Sequence, residues 1–191
     1  MQRILYRKIS FGKTDINNFK MIRSEKKFKE LTSVLNKNNS ILISEAIELL
    51  REEQPFEGAI GLITSFYDRT DDFSVRKTIE GFMNDLKDQA ASAEVINEIR
   101  KQWKADTISM LVSSCWQSGL NYSDYSLDLA EVFLKGDYVT ALECLTVIEE
   151  SVLELSREEK DEIIKIIEES PLSPVNEKRS LTLELISILK R

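Results

Sequence analysis

The chain of 191 residues contains no histidine. Without an imidazole it cannot assemble a Ser-His-Asp triad, a Cys-His pair or a histidine-ligated metal site. Glycine and proline are also scarce, with six and three residues. Because a β-sandwich needs frequent turns, this scarcity argues against an all-β fold and favours long helices.

Cysteines and long apolar runs are equally limited. Two cysteines are too few for a disulfide framework, and Cys115 and Cys144 both fall at apolar helical positions. We therefore expect two buried, unreactive thiols. No run approaches the roughly 18 apolar residues of a membrane-spanning helix, and the first residues lack the apolar core of a signal peptide. The prediction is a cytoplasmic protein without membrane contact.

Charge is unevenly distributed along the chain. The net charge is −7, from 26 basic and 33 acidic side chains. Residues 1–38 carry ten basic and three acidic side chains, whereas residues 39–191 are strongly acidic. A negative body repels phosphate backbones and argues against nucleic acid as a partner. The basic segment is either a solvated leader or a segment that docks on a partner or on a second copy.

Cap and stop residues predict ten helices. A side-chain oxygen satisfies the free N–H groups where a helix begins, and glycine or proline ends it. The predicted helices span 22–37, 41–53, 56–68, 73–87, 93–103, 107–118, 124–135, 138–153, 157–169 and 176–190. The predicted caps include Ser40, Ser92, Asp106, Asp137 and Ser156. Residues 1–20 show no helical period and are predicted to form a basic arm before a single domain, 21–191.

An internal repeat of about 33 residues is the strongest pattern. In the fourth predicted helix, Val75, Ile79, Phe82 and Met83 form one apolar stripe. The same stripe recurs in the other even-numbered helices, at Leu42, Ala46, Leu49, Leu50, Ile108, Val112, Cys115, Trp116, Ala141, Leu145, Ile148, Leu181, Leu185, Ile188 and Leu189, with Glu149 as the exception. The intervening helices repeat through Ile63, Ile96 and Leu129.

This repeat predicts an all-α fold in which about five helix pairs stack into a right-handed α-α superhelix. Single pairs of this length cannot bury both faces, whereas stacked pairs share one continuous core. The alternative is a globular helical bundle whose periodicity is accidental.

Residues 71–82 resemble the turn and second helix of a HEAT repeat. Asp71 and Asp72 lie in the turn between helices, and Val75-Arg76 opens the second helix, as in that family. The resemblance implies a solenoid in which the second helices line the concave surface. Residues 114–125 are also similar to uncharacterised bacterial HEAT-like proteins, a likeness that implies no activity.

Motifs for catalysis and for cofactors are missing from the sequence. Neighbouring acids such as Glu52 and Glu53 diverge by about 100° on a helix and do not form a two-carboxylate site. The chain has no Walker A loop, no Gly-x-Gly-x-x-Gly motif and no EF-hand loop. We therefore predict a protein that is not an enzyme and that uses no cofactor and no metal.

The predicted contact surface lies opposite the apolar stripe of the second helices. It consists of Arg51, Glu80, Asn84, Ser113, Gln117, Thr146 and Glu150, and it is expected to become more acidic toward the C-terminus. A basic peptide or protein segment would complement such a surface. Tyr122 and Tyr125 flank a turn, where they either staple the loop or add aromatic contacts to a partner.

Three functions are compatible with these features. The leading hypothesis is a non-enzymatic protein-binding or scaffold module that uses the concave face of the solenoid. The second is a nucleic-acid-binding HEAT-like protein, related in shape to DNA glycosylases, although those use a basic groove. The third is a self-associating structural protein, in which the basic arm of one copy meets the acidic C-terminal repeats of another.

Overall fold

The computed structural model describes residues 13–53, 55–170 and 176–191, and these ranges are helical without any strand. The predicted all-α fold is therefore confirmed. The helices are α1 (Lys13–Leu35), α2 (Ser40–Glu52), α3 (Ala59–Arg69), α4 (Phe73–Asn84), α5 (Ala91–Ile99), α6 (Ala105–Gln117), α7 (Ser126–Lys135), α8 (Tyr138–Ser151), α9 (Arg157–Glu169) and α10 (Arg179–Leu189). Short 3-10 turns precede α7 and α10. None of the described helices is long and apolar enough to cross a membrane.

Side-chain caps begin several of these helices as expected. Asp137 accepts a hydrogen bond from the backbone N–H of Thr140 at 2.8 Å and thereby caps α8. Ser156 and Glu159 form a reciprocal capping box at the start of α9. Both predicted caps are confirmed.

Three other predicted caps are wrong. Asn39, not Ser40, caps α2, and Ser40 instead donates its hydroxyl to Asp72 on the neighbouring turn. Ser92 and Asp106 lie inside the first turns of α5 and α6. A polar residue one or two positions inside a helix has the same local sequence signal as a cap, because both positions favour oxygen-bearing side chains.

The first helix crosses the predicted boundary at residue 20. It begins at Lys13, ahead of the predicted start at residue 22. The remainder of the predicted arm, residues 1–12, lies outside the described residues, as do residues 171–175 of the expected long loop.

The helices contact one another in two rows. In the even row, α2 contacts α4, α4 contacts α6, α6 contacts α8, and α8 contacts α10. In the odd row, α1 contacts α3, α3 contacts α5, and α7 contacts α9. Each odd helix also contacts the even helix that follows it, so one core lies between the rows. A helix of the even row therefore keeps one face toward solvent.

The core register agrees with the repeat in the odd row and at α4. Ile63, Ile96 and Leu129 are completely buried, which confirms the predicted spacing of 33 residues. In α4 the predicted stripe of Val75, Ile79, Phe82 and Met83 is also buried.

In α2 the predicted register is wrong by one residue. Leu42 and Leu49, which were expected in the core, are 41% and 64% exposed. The buried residues are Ile43, Ile47 and Leu50, which precede their counterparts in α4 by 32 residues. Because α2 is apolar on more than one face, the pattern allows both registers, and packing against α4 selects one.

The same shift occurs in α6. Thr107, Leu111 and Ser114 are fully buried, whereas Ile108 and Trp116 are only partly covered. Two of these buried positions carry hydroxyl groups, so an apolar pattern favours the neighbouring register.

Candidate functional site

Four of the predicted contact residues line one cleft between α4 and α6. Glu80 and Asn84 lie one turn apart on α4, and Ser113 and Gln117 lie one turn apart on α6. Residues four apart point to the same side of a helix, so the two pairs face each other. The cleft has a volume of about 240 Å³, and it is also lined by Tyr67, Asp106, Ser109, Met110 and Glu143.

A chain of hydrogen bonds crosses the cleft. The Asn84 amide nitrogen donates to the Gln117 amide oxygen at 2.8 Å. The Gln117 nitrogen in turn donates to the Ser113 hydroxyl at 2.8 Å. These bonds hold the polar rims of α4 and α6 together and leave groups at the solvent side that can exchange partners with a ligand.

Glu80 is held in place by two donors. The Tyr67 hydroxyl donates to one carboxylate oxygen at 2.9 Å, and the Lys77 ammonium donates to the other at 2.6 Å. Burial, together with the hydrogen bond to Glu80, raises the pKa of Tyr67 to about 12. The Arg76 guanidinium lies 3.9 Å from the centre of the Tyr67 ring. The phenol therefore remains a proton donor, and Glu80 remains a carboxylate at the cleft wall.

Two further carboxylates reach the cleft from other helices. Asp106 on α6 pairs with Arg76, and Glu143 on α8 accepts from the Trp116 indole nitrogen. Together with Glu80, these groups bring acidic oxygens from three helices of the even row to one place. Such an arrangement suits a cationic side chain.

A larger groove lies on α2. It has a volume of about 650 Å³ and is lined by Ser40, Ile41, Ser44, Glu45, Glu48, Leu49, Glu52 and Ser74. Its α2 residues lie opposite the buried side of that helix, so the groove opens on the solvent side of the even row. The exposed carboxylates of Glu45, Glu48 and Glu52 make this end of the surface acidic.

The expected increase in acidity toward the C-terminus is therefore wrong. The predicted register placed Leu49 in the core and left Arg51 to represent α2. In the structure, the Arg51 Nε donates to Asp85 at 2.9 Å and bridges α2 and α4. This hydrogen bond raises the pKa of Arg51. The positive charge is thus neutralised beside the groove.

The remaining predicted residues lie outside the cleft. Thr146 on α8 is partly covered and donates its hydroxyl to the Leu142 carbonyl at 3.1 Å, whereas Glu150 is exposed near the end of that helix. Both stay on the predicted surface, one helix beyond α6.

Tyr122 is not a surface residue, since only 1% of it is exposed. Gly119 ends α6 with a φ of +67°, and the chain then turns back toward the core. Tyr125 is half-buried, and its ring centre lies 6.5 Å from that of Tyr122. The expected partner contact by Tyr122 is therefore corrected to a loop staple, while Tyr125 keeps a partly exposed edge.

The structure also locates the cysteines and the acidic groups relative to one another. Burial raises the pKa of Cys115 to about 12 and raises that of Cys144 well above its ordinary value. Both thiols are therefore protonated at neutral pH. Among the residues that the structure describes, no group of three or more cysteine or acidic side chains could hold a metal ion.

Lys178 is a structural residue that sequence reasoning missed. It is only 9% exposed, and its ammonium donates to the carbonyls of Phe133, Leu134 and Gly136 at 2.9, 2.7 and 2.8 Å. These are carbonyls at the C-terminal end of α7, where a positive charge is favourable. A lysine between Glu177 and Arg179 has no local signal of burial.

Comparisons with known proteins leave the function to be argued from the cleft and the groove. No family model, curated protein or solved structure matches the chain. The HEAT-like resemblance of residues 71–82 accordingly stays a prediction from the residues themselves.

Proposed function

We propose that the chain is a HEAT-like, right-handed α-solenoid of five helix pairs that binds a basic protein or peptide segment in the cytoplasm, without catalysing a reaction. The binding surface is the solvent side of the even row. Serial contacts from α2 to α10 support this arrangement, because each even helix meets the next one in the way that stacked repeats do.

The observation that carries the proposal is the cleft between α4 and α6. Its volume of about 240 Å³ lies below the range of about 300–1,000 Å³ that is typical of small-molecule sites. It therefore suits one inserted side chain better than a whole small ligand. Glu80, Asp106 and Glu143 supply the carboxylates, and a guanidinium or ammonium group matches them.

The groove on α2 extends the same surface. Neighbouring packed helices are roughly 8–10 Å apart, and an extended peptide rises about 3.3 Å per residue. A basic side chain at every third position would therefore meet successive helices of the even row. This spacing defines the partner as an extended segment with basic residues at intervals of three.

Fluorescence anisotropy tests this function directly. The probe is a labelled twelve-residue peptide, (Arg-Ser-Leu)₄, with (Glu-Ser-Leu)₄ and a labelled DNA duplex as comparison probes. We expect the basic peptide to bind more tightly than both. Neutralising the cleft with Glu80→Gln, Asp106→Asn and Glu143→Gln is expected to weaken binding by about tenfold or more, because three carboxylates lose their charge.

A matched variant on the odd row controls for net charge. Asp161→Asn, Glu162→Gln and Glu169→Gln remove the same charge from exposed positions of α9. We expect this variant to bind the basic peptide within about twofold of the unmodified chain, apart from weak screening effects. Equal losses in both variants, absence of binding, or a preference for DNA would contradict the proposed function.

A further inference from the structure

The groove on α2 exposes large apolar side chains that a partner would cover. Ile41 is 71% exposed and Leu49 is 64% exposed, and Glu45, Glu48 and Glu52 lie between and beside them. An apolar surface of this kind, rimmed by charged groups, is typical of an interaction site. Its occupant must combine apolar side chains with positive charges.

Residues 1–12 of the chain have this composition. They contain the basic residues Arg3, Arg7 and Lys8, several apolar residues between them, and no acidic residue. Since the groove carries acidic and apolar groups only on its exposed α2 face, the two are complementary in charge and in polarity.

The length of α1 prevents the segment from covering the groove of its own chain. Lys27 contacts Glu53 at the end of α2, and Lys13 lies about 21 Å further along α1. Ile41 is therefore about 39 Å from Lys13, whereas twelve residues span about 40 Å when fully extended. Arg7 and Lys8 would then lie beyond the end of α2, away from its carboxylates.

We propose that residues 1–12 of a second copy occupy the groove on α2. This inference rests on the proposed function, since it uses the same solvent face of the even row. Each copy carries both a segment and a groove, so two copies exchange segments reciprocally. A two-fold exchange satisfies both grooves and closes the assembly as a dimer.

Sedimentation equilibrium on the full chain tests the dimer. At low salt and about 50 μM chain, we expect twice the 22.0 kDa of one chain, with dissociation when salt is raised to about 1 M. The groove variant Glu45→Lys, Glu48→Lys and Glu52→Lys is expected to raise the dissociation constant by tenfold or more. The segment variant Arg3→Glu, Arg7→Glu and Lys8→Glu should do the same.

Mixing the two variants distinguishes exchange between copies from binding within one chain. The acidic segment of one variant fits the basic groove of the other, and the two unmodified parts also fit. Each variant alone should be monomeric, while the equimolar mixture should form a heterodimer. Circular dichroism melts establish that both variants are folded, and Asp161→Lys, Glu162→Lys and Glu169→Lys on α9 should leave the dimer unchanged.

A monomer in the unmodified chain would overturn this inference, as would a mixture that stays monomeric. The proposed function has a separate outcome, because the cleft variant is tested with the external basic peptide. A monomeric chain that still binds the peptide at the cleft would refute the exchange and leave the proposed function in place. A dimer that ignores the peptide would do the reverse.

Discussion

Replacing Lys178 with methionine removes the ammonium group that caps α7 and keeps a side chain of similar length. Three hydrogen bonds end on this group, at 2.9, 2.7 and 2.8 Å. A hydrogen bond to a charged group contributes about 1.5–3 kcal/mol. The bond to the Phe133 carbonyl is buried, whereas the carbonyls of Leu134 and Gly136 are in partly buried positions where water can replace the lysine.

We therefore expect Lys178→Met to lower the free energy of unfolding by about 2–4 kcal/mol. This is a large fraction of the roughly 5–15 kcal/mol that stabilises a typical domain. The assay is equilibrium unfolding in urea, followed by far-ultraviolet circular dichroism. Lys165→Met on the exposed side of α9 is the control, and it should change the unfolding free energy by less than about 0.5 kcal/mol. Equal, small effects in both variants would refute the assigned role of Lys178.

The remaining predictions concern the register, one helix cap and the thiols. Ile47→Ala should lower the free energy of unfolding by about 2–4 kcal/mol, because Ile47 is fully buried, whereas Leu49→Ala should change it by less than about 0.5 kcal/mol; the reverse order would contradict the register. Asp137→Ala should lower it by about 1 kcal/mol. The Thr140 backbone N–H lowers the pKa of Asp137, so this stabilisation is complete at neutral pH and is lost as the pH falls through the folded-state pKa, which an acid titration of unfolding checks. Both thiols should react with a disulfide reagent only after unfolding, and rapid reaction in the native protein would contradict their burial.

Local chemistry explains which parts of the fold the sequence predicted. The capping box at Ser156 and the cap at Asp137 involve residues three apart, so their signals are complete within one turn. The odd-row positions Ile63 and Ile96 are flanked by polar residues, which leaves only one register for the core.

Other features depend on contacts between distant residues. In α2, apolar residues lie on two faces, and the bonds from Ser40 to Asp72 and from Thr78 to Ser44 fix its orientation against α4. The acidic groove follows from this orientation and could not be predicted from the pattern. Lys178 was missed for the same reason, because its acceptors lie more than 40 residues earlier in the chain.

The contact surface itself was predicted in part. Glu80, Asn84, Ser113 and Gln117 were placed correctly on one side of the even row, since spacings of four and 33 residues determine their relative positions. Asp106 and Glu143 were not included, because their approach to the cleft depends on how α6 and α8 pack.

Nuclear magnetic resonance titration tests the central claim, that the solvent face of the even row binds a basic segment. The isotope-labelled chain is titrated with the (Arg-Ser-Leu)₄ peptide, and backbone amide shifts are mapped. The largest changes are expected in α2, α4 and α6, around the groove and the cleft. Changes concentrated in α3, α5, α7 and α9, or the same changes with the acidic peptide, would contradict the claim.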